Sequence, residues 1–156
     1  MRPRRLRSRS AGFNVVELMI VVFIVAVLAA VAGPDMARMV RTQRIKTSAF
    51  DVMASLTLAR SEAIKRNLLV TITPTGGNWA NGWQITDSNN NVVKDQGELS
   101  SVTVVGPAAL SYASNGRLAG GAAPLFNLSA SDVAAGSLRC IRVDLSGRPV
   151  AREGAC

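Results

Sequence analysis

"AGFNVVELMIVVFIVAVLAAVAGPD", residues 11–35, sets one carboxylate, Glu17, at the head of an otherwise apolar run. Arg2, Arg4, Arg5, Arg7 and Arg9 crowd the flank before it. Counted from Phe13 the run is about 20 residues long, the length at which a helix crosses a hydrocarbon core. The compact basic flank orients such a helix with its N-terminus in the cytoplasm and everything after Pro34 outside, while Arg38, Arg41, Arg44 and Lys46 pull the other way less compactly. An ionised acid at mid-membrane costs on the order of 2.5–3.5 kcal/mol and is normally retained only with a partner. A cut between Gly12 and Phe13 would supply one, because the new α-amine lies four residues from Glu17, within i, i+4 reach, or can be offered to the Glu17 of a neighbouring subunit. An ordinary secretory signal uses the same basic flank and apolar stretch, with "AVA" at 30–32 as its cleavage site, and the residues alone leave that route open.

Beyond Pro34 the pattern turns amphipathic. Ile45, Ala49, Val52, Leu56, Ala59 and Ala63 recur at spacings of four and three, with Arg41, Lys46, Asp51, Arg60 and Glu62 mainly off the stripe. This predicts a helix whose apolar face covers a domain. Gly33-Pro34 should bend it, since proline lacks the amide donor and crowds the carbonyl of Ala30. From Phe13 to Asn67 one bent helix would run about 80 Å at 1.5 Å per residue.

After Asn67 the texture changes to short runs rich in β-branched residues, "LLVTIT", "GWQITD", "NVVKD", "SVTVVG" and "LRCIRVDLSG", separated by turn-forming clusters such as "PTGGNWANG" and "SNNN". These predict strands. A helix followed by an antiparallel sheet is an α+β domain, with the helical stripe on one sheet face. The charge-poor stretch 106–136, rich in Ala, Gly and Ser, is expected to hold loops and two weak strands.

Composition narrows the chemistry. The 156 residues, 48% hydrophobic, bury one modest core. The formal charge of +8 falls to +3 if residues 1–12 are removed, so the basic balance belongs largely to the leader. There is no histidine, which excludes His-based triads and His-metal sites. Two cysteines, Cys140 and Cys156, are too few for a zinc site and enough for one disulfide. Ser61 and Lys65, at i, i+4 in "RSEAIK", are the best catalytic fragment, and on a helix such a pair is ordinary surface chemistry. No enzyme activity, metal or cofactor is expected.

"GFNVVELMIVVFIVAVLA" resembles the class III signal of type IV pilins and pseudopilins, with Asn14 where threonine is usual. "NWANGWQITDSNNNVV", residues 78–93, resembles the GspH/FimT family of minor pilins and pseudopilins through Trp79, Gly82, Trp83 and Asp87. Read from the residues, Gly82 permits a tight turn and the two indoles cover the sheet edge. The resemblance implies a leader at 1–12, cleaved after Gly12 by a prepilin peptidase that then methylates Phe13. It further implies a transmembrane helix at 13–33, an amphipathic half at 34–67 and a β-rich periplasmic domain at 68–156. Glu17 would register an incoming subunit against its neighbour's amine in a filament. The implied location is the inner membrane, single-pass, then the pilus or cell surface, with other pilins or pseudopilins as partners.

"RCIRVDLSGRPVAREGAC" bears on function. Arg139, Arg142, Arg148 and Arg152 fall within 14 residues, opposed by Asp144 and Glu153. Cys140 and Cys156 bracket them; a disulfide would close a loop of about 16 residues, worth on the order of 3 kcal/mol in the chain-entropy model, and buried free thiols are the alternative. "SGRPVAR" resembles the C-terminal Gly-Arg-x-Arg element by which FimT-like minor pilins bind DNA. Gly147 and Arg148 match, whereas Arg152 falls two places late, so a turn at Pro149 is needed to bring both guanidiniums to adjacent phosphates. Arg142 and Arg139 can join them, with Arg117 and Lys94 as weaker candidates; a solvated arginine cluster without a ligand is the plain alternative. With few aromatics to stack on single strands, duplex DNA bound without regard to sequence is the expected partner. The competing reading is a GspH-like minor pseudopilin of a type II secretion system with a role in assembly and protein contact.

Overall fold

The computed structural model describes residues 14–156. The leader, the Gly12-Phe13 junction and the methylation expected at Phe13 lie outside the described residues, as do the side chains of 31–34 and with them the bend expected at Gly33-Pro34. The chain divides into two units, one ending at Ala37 and one spanning Arg38–Cys156, with helix α1, Val15–Arg66, contributing to both.

In the first unit Asn14 heads α1. Its side-chain oxygen accepts the amide of Val16 at 3.4 Å, the cap that an N-terminal turn needs, and its carbonyl accepts Leu18 at 3.2 Å. Glu17 lies in this first turn, where the helix dipole favours an acid. From Val15 to Leu28 the large apolar side chains are between 49% and 72% exposed, so the helix is apolar all round and needs hydrocarbon or other helices to cover it. Among the described residues no single helix is long and apolar enough to cross a membrane by itself; Val15–Ala30 meets the length and composition of a span only together with the segment from Asp35 on.

In the second unit the predicted stripe is the buried face of α1: Ile45, Ala49, Val52, Leu56, Ala59 and Ala63 are all buried. Ser55 is buried beside Leu56, and its hydroxyl lies 3.3 Å from Nζ of Lys94. Eight strands follow: β1 Val70–Pro74, β2 Trp83–Asp87, β3 Val92–Gln96, β4 Thr103–Val105, β5 Leu110–Tyr112, β6 Leu125–Ser129, β7 Arg139–Val143 and β8 Pro149–Glu153. They make two antiparallel sheets, ordered β3-β2-β1-β5 and β4-β6-β7-β8, where one had been expected. The division has a physical cause. β4 begins the second layer, β5 returns to the free edge of β1, pairing Val70 with Tyr112, and the Ala- and Gly-rich segment then carries the chain back to set β6 beside β4. The two strands expected within 106–136 are β5 and β6, and β6 is central, because Phe126 and Leu128 alternate into the core while both strand edges are paired.

One core unites both sheets and α1, with Ile72, Trp83 and Ile85 from the first sheet and Phe126, Leu128, Ile141 and Val143 from the second. The indoles do not cover a sheet edge. Trp79 and Trp83 are 3% and 0% exposed, and Trp79 stands between the layers, 5.8 Å from Trp83 and edge-on to Phe126 at 4.8 Å. Trp79 donates its indole N–H to the carbonyl of Pro107 at 2.7 Å, whereas that of Trp83 is buried with no partner among the described residues. Gly82 holds the intervening turn against β3: a Cβ there would fall 2.0 Å from the carbonyl oxygen of Gln96. Asp87, 1% exposed at its side chain, accepts the amides of Asn89 and Asn91, the Asn91 side chain and a guanidinium N–H of Arg66, tying the end of α1 to the β2–β3 hairpin.

Candidate nucleic-acid interface

Strand alternation sorts the predicted arginines. On β7, Ile141 and Val143 point into the core and Arg139 shares their face, whereas Cys140 and Arg142 lie on the other face, Cys140 buried in its disulfide with Cys156 and Arg142 exposed. Arg139 is consequently enclosed: its side chain is 12% exposed, it pairs with Glu153 at 2.8 Å, and it donates to the carbonyls of Gly136 and Leu138. Its charge is spent inside the fold, and it is not part of an outward patch with Arg142.

The register across the hairpin sets Arg142 opposite Val150 and Cys140 opposite Arg152. Arg148, Val150 and Arg152 therefore follow one another on the outward face, with Arg142 beside the middle position. Arg142, Arg148 and Arg152 are exposed, and none has a carboxylate within ion-pair distance among the described residues. A cleft of about 270 Å³ opens between Arg142 and Arg152, with the Cys140–Cys156 disulfide in its wall.

The turn is not at Pro149. It spans residues 144–148, and Pro149 opens β8, where its missing amide costs nothing on an edge strand. Asp144 builds the turn: its Oδ1 accepts the amide of Arg148 at 3.0 Å and the hydroxyl of Ser146, and these donors, the Ser146 hydroxyl foremost, hold its carboxyl below the usual carboxylate range. Arg148 and Arg152 thus lie four strand steps apart, about 13 Å by strand rise, and it is Arg142 on the neighbouring strand that fills the interval. The sequence displaced the second arginine of the Gly-Arg-x-Arg pattern; the hairpin register puts a third one between.

Gly147 is buried, with φ +85°, and a Cβ there would lie 2.1 Å from the carbonyl oxygen of Gly116 and 3.1 Å from the ring of Tyr112. The arginine hairpin is therefore pressed onto the turn 113–117. Tyr112 beneath is fully buried with no hydrogen-bond partner for its hydroxyl among the described residues, and burial pushes that hydroxyl's pKa up. Arg117, on the turn 113–117, is brought beside the hairpin, whereas Lys94 lies on β3 of the other sheet with its ammonium at Ser55. Ser61 and Lys65 are not brought together: the Ser61 hydroxyl donates to the carbonyl of Leu58 and Lys65 reaches Glu62.

The family model for type II transport protein GspH matches residues 48–147, from the buried face of α1 to the glycine of the hairpin turn. Two crystal structures of the type IV minor pilin FimU of Pseudomonas aeruginosa share the fold. One has a TM-score of 0.63 at 18% identity, covering 70% of this chain and 89% of that chain; the other has 0.58 at 18%, covering 69% and 91%. A search of curated proteins finds no match. With the match running from the buried face of α1 through strands of both sheets to the turn after β7, the chain belongs to the type II transport protein GspH family, and it has the α+β fold of the minor pilin FimU.

Proposed function

We propose that the chain is a minor type IV pilin that enters a pilus and binds extracellular duplex DNA for uptake, through Arg148, Arg142 and Arg152. The observation that carries this reading is the row of three exposed arginines on one face of the β7–β8 hairpin, without carboxylate partners among the described residues. Unpaired guanidiniums at strand spacing suit a phosphate backbone, and contacts of that kind give affinity without base information. Arg139 plays no part, because Glu153 neutralises it.

The route to the filament rests on the N-terminal resemblance. A prepilin peptidase cuts after Gly12 and methylates Phe13 in the inner membrane, and Glu17 meets the freed amine of a neighbouring pilin as the subunit joins. The exposed apolar helix from Val15 suits both the membrane and the helical core of such an assembly.

Titration of detergent-solubilised full-length protein with a fluorescent duplex at several salt concentrations tests the proposal. Binding that weakens steeply with salt, and is lost in the triple variant Arg142→Gln, Arg148→Gln, Arg152→Gln, is the expected result. Absence of binding at low salt favours the second reading, a pseudopilin of a type II secretion system working by protein contact. That reading draws on the GspH match and on the exposed Phe50 beside an apolar groove between α1 and β8, formed with Ala49, Met53 and Ala151.

A further inference from the structure

Two turns of this fold are built alike and touch. In the turn 113–117 Asn115 Oδ1 accepts the amide of Arg117 at 3.0 Å; in the turn 144–148 Asp144 Oδ1 accepts the amide of Arg148 at 3.0 Å. The residue before each arginine is a buried glycine at positive φ, Gly116 at +73° and Gly147 at +85°. Gly147 has no room for a side chain, and one at Gly116 would displace the end of Ile64. A Cβ on Gly147 would meet the Gly116 carbonyl oxygen at 2.1 Å, and a Cβ on Gly116 would meet Cδ1 of Ile64 on α1 at 2.6 Å. Helix, first turn and second turn are thus stacked in contact, and Arg60 clamps the stack from α1, its Nε donating to the Gly116 carbonyl at 3.0 Å.

Each exposed arginine leaves the stack one residue beyond the glycine contact. Arg117 and Arg148 thereby follow directly on a backbone contact between elements about thirty residues apart in sequence, and neither is ion-paired among the described residues. Asp144, the acid on the same turn, has one oxygen engaged by Ser146 and the Arg148 amide. Bringing two guanidinium-bearing turns into contact costs self-repulsion that the Asp144 carboxylate, which interacts electrostatically with Arg148, offsets in part and that a bound anion relieves further.

From this juxtaposition we infer that Arg117 and Arg148 form one phosphodiester-binding site, in which two Gly-Arg turns grip a single stretch of nucleic-acid backbone. The inference rests on the DNA-binding reading and deepens it: the interface continues from the hairpin onto the β5–β6 connection, and Gly147 is a positioning residue that sets Arg148 against Arg117.

The test uses the detergent-solubilised full chain and a fluorescent duplex, comparing wild type with Arg117→Gln, Arg148→Gln, the double variant, Arg117→Lys and Gly147→Ala across a salt series. The expected result is that Arg117→Gln weakens binding as much as Arg148→Gln and lowers the salt slope by about one. The double variant should lose less than the product of the single losses, because each arginine works through the other's phosphate. Arg117→Lys should recover much of the affinity, and Gly147→Ala, whose Cβ must push the two turns apart, should both lower the thermal midpoint and weaken binding by protein that circular dichroism shows to be folded. If Arg148→Gln and Arg152→Gln weaken binding and Arg117→Gln does not, the two-turn site is wrong and the hairpin reading stands. If wild type binds no duplex at low salt, the DNA reading falls and this inference with it.

Discussion

Asp87 stays ionised inside the fold chiefly because the Asn91 side chain and amide donate to it, with the Asn89 amide and Arg66 adding to them; its pKa is held below the ordinary value. Glu62 is lowered too, first through its hydrogen bond from Arg66. Depressed carboxylates contribute stability that is present above their unfolded pKa, about 3.9 to 4.3, and is lost as pH falls through the folded value. Acid unfolding followed by circular dichroism should therefore set in below about pH 4, and Asp87→Asn should lower the thermal midpoint at neutral pH by several degrees while flattening that acid limb. Among the arginines the contrast is between faces. Arg142→Gln should weaken duplex binding roughly threefold, the scale of one screened ionic contact, with unfolding unchanged; Arg139→Gln should leave binding alone and lower stability modestly, since it removes a largely buried guanidinium that bonds Glu153 and two carbonyls.

At the scale of elements, the Cys140–Cys156 disulfide staples residues 154–156 to β7, behind the cleft that Arg142 and Arg152 flank. Cys140→Ser with Cys156→Ser should cost about 3 kcal/mol by loop entropy, read from denaturant midpoints, and should reduce DNA affinity less than loss of an arginine does. On α1, Leu56→Ala should cost about 2–5 kcal/mol, the range for a buried leucine. That stripe was legible because helical period and burial coincide at each of its positions. β8 was not, since "PVARE" is largely exposed on both faces of an edge strand and shows no alternation to read. The same blindness moved the turn to Pro149 and hid the register that sets Arg142 between Arg148 and Arg152. Pairing of Arg139 with Glu153 is likewise a cross-strand fact, visible once the hairpin is closed and not before.

For the molecule as a whole, the α+β class followed from the order of periodicities, helical and then alternating. The split into two sheets did not, because which strand returns to the edge of β1 depends on contacts far apart in sequence. The core runs from Ile45 to Val143, entirely within the unit Arg38–Cys156. That unit expressed alone should therefore fold, with a thermal midpoint close to that of the full chain in detergent and without need of detergent itself; a fragment that aggregates would show that the apolar helix from Val15 shares in the core.

Trp79 and Trp83 are the two tryptophans of the chain, and both are sealed in the core away from the arginine face. Intrinsic emission is in consequence a private channel, reporting whether the layers around Phe126 remain closed and saying nothing of what docks outside. Nucleic acid captured by a rigid surface should leave the wavelength of that emission unmoved, while any red shift on capture would reveal that the layers part to receive it.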